Sequence, residues 1–121
     1  MPIFVVQEHV AKRAGKHHDL RLEVGVVLES WAVPKGVPTA SGVKRLAIKV
    51  ADHPMDYAGF EGEIEEGYGA GTVKIFDEGE YELLDESPDS KLVQFKGNKG
   101  KLNGNYYLRR WEGNRWLVWK K

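Results

Sequence analysis

Alternation of apolar and polar residues with a period of two constrains this chain more than any other feature of its sequence. Within residues 17–24, leucine or valine occupies positions 20, 22 and 24, and the alternate positions are polar: His17, Asp19, Arg21 and Glu23. Successive side chains of a β-strand point to opposite faces, so this pattern predicts a strand with one buried and one polar face. Residues 4–9 follow the same rule, with Phe4 and Val6 opposite Val5, Gln7 and His9.

Similar short runs recur along the chain, separated by turns rich in glycine, proline and asparagine. Strands are predicted near 4–9, 17–24, 27–33, 44–50, 71–77, 80–85, 91–96, 105–111 and 115–120, and reversals at 34–36, 77–79, 103–104 and 113–114. This spacing predicts an all-β, mainly antiparallel fold, a small closed β-barrel of about eight strands. One or two short helices are expected, a turn or two within 10–14 and one near Met55–Ala58.

The composition narrows the class of protein further. The 121 residues predict a single domain over 1–121, and the absence of cysteine excludes disulfide scaffolds, thiolate metal sites and thiol chemistry. No apolar run reaches the roughly 18 residues of a membrane span, and no secretory signal opens the chain. We therefore expect a cytoplasmic protein without a membrane contact, and a barrel of this size is expected to be a monomer.

The formal net charge of zero conceals three blocks of charge. Residues 1–50 carry eight basic and four acidic residues, residues 51–90 one and thirteen, and residues 91–121 nine and one. A polyanion-binding surface built from both ends of the chain is therefore possible, and so is simple cancellation over the folded surface. The aromatic residues leave a similar choice between stacking platforms for bases and core packing, above all for Trp31, Trp111, Trp116 and Trp119.

Histidines and one carboxylate on the first two predicted strands form the strongest candidate site. His17 and Asp19 are two residues apart and share a face, with Arg21 next on that face. If the first two strands pair, His9 converges with them, and two imidazoles with one carboxylate are typical of a catalytic divalent-metal site. A structural role for the histidines is the alternative. His18 points to the opposite face and is not expected to be a ligand.

Other candidate groups are weaker. His53 and Tyr57 could present two hydrogen-bond donors to an oxyanion, or lie in a solvated loop. The glycine-rich run over 67–71 lacks the spacing of a phosphate loop and is more simply a tight turn. Lys35 and Arg45, taken singly, are surface charges or anion contacts.

The order and density of these motifs resemble the 3′-phosphoesterase domain of bacterial DNA ligase D. The resemblance is carried by the runs 4–9 (FVVQEH), 17–23 (HHDLRLE), 30–36 (SWAVPKG), 44–47 (KRLA), 52–57 (DHPMDY), 60–62 (FEG) and 68–73 (YGAGTV). It is strong over about residues 4–77 and looser in the tryptophan-rich tail. The chain looks like a free-standing member of that family.

This resemblance implies a manganese-dependent phosphoesterase on a small β-barrel that trims 3′ ends of broken DNA in non-homologous end joining. The family removes a 3′-terminal ribonucleoside and then the residual 3′-phosphate. The implied partners are DNA 3′ ends, especially a primer–template ending in a ribonucleotide, together with separate ligase and polymerase proteins. Zn²⁺ or Co²⁺ could occupy the Mn²⁺ site.

Carried over to this sequence, the metal ligands are His9, His17 and Asp19. Arg21 and His53 contact the scissile phosphate, and a polar ring completes the site with Gln7, Lys35, Arg45 and Tyr57. The longer interval between His9 and His17 is expected to loop differently and to bring cations to nucleic acid: Lys12, Arg13 and Lys16. Bacterial members carry functional Arg, Asp and Glu side chains before the first strand, and this sequence starts almost at that strand. We therefore expect the diesterase step, whereas the sequence leaves open whether the 3′-phosphate is also removed.

Two alternatives belong to other classes. A non-catalytic nucleic-acid-binding barrel predicts binding that depends on salt and is indifferent to EDTA. A small-molecule hydrolase or oxygenase on a cupin-like barrel predicts a deep apolar pocket.

Overall fold

The computed structural model of the chain describes residues 1–13, 15–65, 67 and 70–121. Its elements, in chain order, are β1 (Ile3–Ala11), β2 (Gly15–Val24), β3 (Val27–Val33), β4 (Lys44–Pro54), a 3₁₀ helix (Met55–Gly59), β5 (Gly62–Ile64), β6 (Gly71–Ser87), β7 (Ser90–Gly97), β8 (Asn103–Glu112) and β9 (Arg115–Lys120). Among the described residues, no helix is long and apolar enough to cross a membrane.

The strands form a closed antiparallel barrel, as the sequence predicts. Eight strands follow one another in the order β1-β2-β3-β4-β9-β8-β7-β6, and β6 pairs back with β1 to close the barrel. The short β5 is an extra strand that pairs with the first residues of β6. Closure leaves no free edge along the main part of the barrel.

The period-two pattern explains which side chains fill the interior. Leu20 and Leu22 of β2 and Phe4 and Val6 of β1 are fully buried in the core, as the alternation predicts. Trp31 and Trp116 pack edge to face at 5.5 Å within the same core, whereas Trp111 is 63% exposed. The prediction that tryptophans pack in the core is therefore confirmed for Trp31 and Trp116.

The 3₁₀ helix confirms the helix predicted near Met55–Ala58. The helical turn predicted within 10–14 is wrong at its start, because Val10 and Ala11 continue β1. Both residues pair with β2 on one side and β6 on the other, and these two ladders outweigh any local helical preference.

The reversal predicted at 77–79 is also wrong, because these residues lie inside β6, a continuous strand of 17 residues. Gly79 permits a close approach rather than a turn: a Cβ there would lie 2.0 Å from the carbonyl oxygen of Lys96. The buried Asp77 accepts backbone hydrogen bonds from Lys99, Lys101 and Leu102 at 2.8–2.9 Å and thereby organises the turn between β7 and β8.

The chain therefore reverses between Gly97 and Asn103, before the reversal predicted at 103–104. Asn103 is already the first residue of β8 and pairs with Lys96. The other two predicted reversals are present. Gly36, with φ of 88°, closes a turn by donating its N–H to Val33, and residues 113–114 connect β8 to β9.

Candidate active site

Two histidines and an aspartate meet on the outer face of β1 and β2. His9 and His17 are direct cross-strand partners, and their rings lie 4.8 Å apart. Asp19 follows His17 by two residues on the same face. Its carboxylate oxygens lie 3.4 Å from His9 Nδ1 and 3.3 Å from His17 Nε2. The convergence expected from strand pairing is therefore present.

These three side chains have the chemistry of a divalent-metal site. One nitrogen or oxygen of each lies within 4.8 Å of the others, as the geometry of a shared ion requires. Ligands about 2.1 Å from one tetrahedral ion stand roughly 3.4 Å apart, which matches the two measured separations. Three protein ligands leave coordination positions open, which is typical of catalytic rather than structural sites.

The pKa values of the trio reflect its mutual hydrogen bonding. The hydrogen bond to Asp19 raises the pKa of His17 above its usual value, against the opposing effect of burial. Burial would raise the pKa of Asp19, but the hydrogen bond from His17 and the charges of His17 and Arg21 outweigh it and lower that pKa. Asp19 is thus ionised at neutral pH, in the form a cation needs.

Arg21 is held beside the trio by hydrogen bonds from its guanidinium. Its Nε donates to Gln7 Oε1 at 2.7 Å and its Nη1 to Ser30 Oγ at 2.8 Å, while its Nη2 lies 3.7 Å from Asp19. The side chain is only 3% exposed, and burial lowers its pKa. An arginine so fixed, with a carboxylate beside it, suits recognition of a phosphate.

Gln7 ties Arg21 to the 3₁₀ helix. Its Nε2 donates to the carbonyl oxygens of Tyr57 at 2.9 Å and Phe60 at 3.2 Å, while its Oε1 accepts from Arg21. The side chain is fully buried. Gln7 therefore links Arg21 to the 3₁₀ helix, and its role in the polar ring around the substrate stays a prediction.

His53 and Tyr57 lie on the other side of Arg21. His53 Nδ1 is 3.1 Å from Arg21 Nη1, and the guanidinium lies 4.8 Å from the centre of the Tyr57 ring. His53 Nδ1 also lies 3.1 Å from the carbonyl oxygen of Ala51. Arg21 can only donate and a carbonyl oxygen can only accept, so the two contacts favour opposite tautomers of the neutral ring. Burial, assisted by the charge of Arg21, lowers the pKa of His53, and burial raises that of Tyr57.

These groups surround one cleft of about 380 Å³, here named the histidine cleft. Its polar lining is His9, His17, Asp19, Arg21, His53 and Tyr57. Its apolar lining includes Ala32, Val50 and Ile64. Six of the sequence-predicted site residues thus line one cleft, and Gln7 lies behind Arg21.

Lys35 and Arg45 line a different cleft of about 340 Å³, together with Glu8, Lys16 and His18. Arg45 donates to the carbonyl oxygens of Lys35 and Gly36 at 2.9 and 3.1 Å. His18 accepts the N–H of Val37 at 3.0 Å and packs at a tilt against Phe76, away from the trio as the alternation predicts. A role for Lys35 and Arg45 in substrate binding stays a prediction.

Sequence reasoning missed Ser30, which holds Arg21 from β3. The signal was present, because Ser30 is the direct cross-strand partner of Arg21. Three cations between His9 and His17 are expected from the sequence to contact nucleic acid. Of these, Lys12 and Arg13 lie in an exposed turn, and Lys16 Nζ lies 3.8 Å from the carboxylate of Glu8. The glycine-rich run over 67–71 includes Tyr68 and Gly69, which lie outside the described residues.

Comparison with known families decides the class of this site. The sequence model of the DNA ligase D 3′-phosphoesterase domain matches residues 7–110. The chain belongs to this family. The match begins at Gln7 and includes every residue of the histidine cleft.

Curated relatives agree with this assignment. The chain is 48% identical over 118 residues to the multifunctional non-homologous end joining DNA repair protein LigD of Mycobacterium tuberculosis, covering 95% of this chain and 15% of that protein. It is 46% identical over 109 residues to the LigD of Pseudomonas aeruginosa, covering 87% and 13%. The chain thus spans about one seventh of the length of these relatives.

Proposed function

We propose that this protein is a divalent-metal-dependent phosphoesterase that processes the 3′ ends of nucleic acid in DNA break repair. Its substrates are 3′ ends carrying a terminal ribonucleoside, and 3′-phosphates as a second substrate. The observation that carries the proposal is the fixed guanidinium of Arg21, 3.7 Å from the carboxylate of a potential metal-ligand trio. Family membership and the names of the LigD relatives support the end-processing role.

His9, His17 and Asp19 would hold the metal, which we propose to be Mn²⁺. Bound there, a divalent cation supplies Lewis acidity to a phosphate oxygen. The trio comprises neutral nitrogens and one carboxylate, and this donor set suits Mn²⁺, Zn²⁺ or Co²⁺.

Arg21 would bind the nonbridging oxygens of the scissile phosphate. Its hydrogen bonds to Gln7 and Ser30 fix the guanidinium before substrate arrives, so little reorganisation is needed as negative charge grows in the transition state. Asp19, 3.7 Å from Nη2, balances the buried positive charge of the guanidinium.

His53 would act as a neutral imidazole beside the scissile phosphate. Its lowered pKa argues against an imidazolium that delivers a proton at neutral pH, an option that the sequence left open. In the tautomer whose Nδ1 accepts from Arg21, Nε2 carries the proton and can donate to a phosphate or leaving oxygen. Tyr57, whose pKa is raised by burial, keeps its hydroxyl protonated as a second donor.

The test uses a 5′-labelled DNA primer that ends in one ribonucleotide, annealed to a longer template. The protein in Mn²⁺ is expected to shorten the primer by one nucleoside and leave a 3′-phosphate or 3′-hydroxyl. EDTA and His9→Ala are each expected to abolish the reaction. His18→Gln serves as the matched control, because glutamine can still accept the N–H of Val37 on the opposite face of β2.

Cleavage that persists in EDTA, or in His9→Ala with Mn²⁺, would overturn the metal assignment. An unchanged primer in every divalent metal, with binding that depends on salt, would instead indicate a non-catalytic nucleic-acid-binding barrel.

A further inference from the structure

The basic C-terminal block has no part in the histidine cleft. Residues 91–121 carry nine basic residues and one acidic residue, yet the cleft is lined from β1–β4, the 3₁₀ helix and β5. β7, β8 and β9 must therefore present most of this charge elsewhere on the barrel.

The outer surface of β4, β9 and β8 carries a distinct set of side chains. Alternation along β9 buries Trp116 and Val118 and leaves Leu117 and Trp119 outside. Cross-strand pairing extends this outer set to the neighbouring strands. We name this surface the β9 face, and it comprises Lys44, Leu46, Tyr107, Arg109, Leu117, Trp119 and Lys121, the last of which lies over the Tyr107 ring.

An aromatic pair holds two lysines above this surface. Tyr107 and Trp119 are cross-strand partners whose rings stack at 5.1 Å with planes 25° apart. Lys44 Nζ lies 4.6 Å from the Trp119 ring, and Lys121 Nζ lies 6.0 Å from the Tyr107 ring. Cation–π contact restrains a lysine and leaves its full charge available to an anion.

Within the described part of the chain, no acidic side chain lies within 4.0 Å of Lys44, Arg109 or Lys121. Lys49, which belongs to the same strand as Lys44 but to its other face, does pair with Glu29 at 3.7 Å. Unpaired cations on one surface leave a positive potential that a polyanion would complement.

One row of side chains connects the β9 face with the histidine cleft. The outward-facing positions of β4 run through Lys44, Leu46, Ile48 and Val50, and Val50 lines the cleft. Six residues of strand span about 20 Å. This equals the axial length of about six nucleotides of a duplex strand at 3.4 Å each.

We propose that the β9 face binds the sugar–phosphate backbone of the DNA strand whose 3′ end lies in the histidine cleft. The inference rests on the proposed end-processing function and adds to it the surface that holds the substrate upstream of the scissile phosphate. Lys44, Arg109 and Lys121 contact phosphates, and the apolar side chains between them exclude water beneath the strand.

DNA is favoured over an acidic protein because the strand that carries the β9-face residue Lys44 also lines the cleft through Val50. A strand with its 3′ end beside Arg21 must leave the cleft across some neighbouring surface. The row along β4 offers a path that ends at unpaired cations.

The test measures binding of a fluorescein-labelled primer–template in EDTA, so that no turnover occurs, at several salt concentrations. The variant combines Lys44→Gln, Arg109→Gln and Lys121→Gln. The control removes the same charge from the β6–β7 side and from the turn before β8, with Lys74→Gln, Lys96→Gln and Lys101→Gln, all at exposed positions.

The β9-face variant is expected to reduce the slope of log K against log salt by about two to three, since each neutralised phosphate contributes roughly 0.9. The control variant is expected to keep the wild-type slope to within about one. In Mn²⁺ assays with the ribonucleotide-ended primer, the β9-face variant is expected to raise KM about tenfold or more and to keep kcat.

Equal slopes and equal KM for the two variants would overturn this inference while leaving the proposed function intact, and would turn attention to a protein partner for the face. Absence of cleavage by the wild type, with the expected difference in binding, would overturn the proposed function and keep the β9 face as a DNA-binding surface.

Discussion

The histidine cleft and the β9 face both lie on the outside of the same barrel, but their charges are arranged in opposite ways. In the cleft the polar and charged groups are largely buried and contact one another. Arg21, for example, has four such partners: Gln7, Ser30, His53 and Asp19. On the β9 face the cations are exposed and have no carboxylate partner among the described residues.

This difference in arrangement suits two different functions, chemistry in the cleft and substrate binding on the β9 face. Buried, mutually bonded groups keep one geometry, which chemistry on a particular phosphate requires. Exposed cations keep freedom to follow a flexible polyanion, and their contribution is screened by salt. Substitutions in the cleft should therefore change turnover, whereas substitutions on the β9 face should change binding.

The largest effect is expected from Asp19→Asn, because the amide keeps the shape and removes the charge between two histidines. Metal-dependent turnover should fall by about 10³-fold or more, since Lewis-acid stabilisation contributes several kcal/mol. Primer cleavage and Mn²⁺ titration by calorimetry check this, with a thermal melt to confirm folding. Wild-type affinity for Mn²⁺ in the variant would contradict the ligand assignment.

Arg21→Lys should come next. Lysine retains the charge but cannot bond Gln7, Ser30 and a phosphate together, so kcat should fall about 10²–10³-fold, the loss typical of one oxyanion donor. Mn²⁺ affinity should change little. Steady-state kinetics with the ribonucleotide-ended primer give the answer, and an unchanged kcat would exclude Arg21 from the transition state.

Gln7→Met tests whether the buried amide positions Arg21. The change removes the acceptor of the guanidinium Nε and the donor to the Phe60 carbonyl, whereas the Tyr57 carbonyl still accepts the N–H of Phe60. Each buried group left without a partner costs about 1–3 kcal/mol of unfolding free energy. Displacement of Arg21 should lower kcat by up to about 10²-fold. Urea unfolding and the kinetics of Gln7→Glu, which keeps the acceptor for Arg21, separate the two effects. A loss of stability with full activity in Gln7→Met would show a purely structural role.

A smaller effect is expected from pH on Mn²⁺ affinity. The hydrogen bond to Asp19 raises the pKa of His17, so the metal-free protein keeps a proton there that the ion must displace. Affinity should fall about tenfold for each pH unit below that pKa. Calorimetric titration between about pH 5.5 and pH 8 measures it, and affinity constant over this range would contradict the role of His17.

The same pair predicts the opposite trend in the stability of the metal-free protein. The raised pKa of His17 gives stability that is present below its ordinary pKa of 6.5 and is lost as pH rises through the raised value. The lowered pKa of Asp19 gives stability that is present above its ordinary 3.8 and is lost as pH falls through the lowered value. The contribution of His17 and Asp19 to the stability should therefore be largest between the two ordinary pKa values, 3.8 and 6.5.

Much of the barrel and the trio could be predicted because both follow from strand parity. Period two places His17, Asp19 and Arg21 on one face of β2, and one pairing of β1 with β2 brings His9 opposite His17. To bring the three side chains of the trio together, no long-range contact beyond the pairing of β1 with β2 is needed.

The rest depends on contacts between distant parts of the chain. The predicted reversal at 77–79 contains turn-forming residues, but Gly79 serves close packing against Lys96 and Asp77 serves a turn some 20 residues later. Gln7 reaches carbonyls 50 and 53 residues away, so local pattern could not reveal its role. Lys35 and Arg45 depend on the path of the loop over 34–43, which no periodicity specifies.

The smallest predicted effect, Lys44→Gln, sharpens the comparison between the two surfaces. It removes one charge from the β9 face, about 20 Å along β4 from the cleft, and leaves the Tyr107–Trp119 stack in place. The salt slope of primer–template binding should fall by about 0.9, and kcat should stay unchanged. Lys44→Arg should restore the slope, because a guanidinium can also stack on Trp119 and contact a phosphate. A fall in kcat with an unchanged slope would mean that Lys44 acts on the cleft rather than on the strand, and the separation between chemistry and binding would not hold.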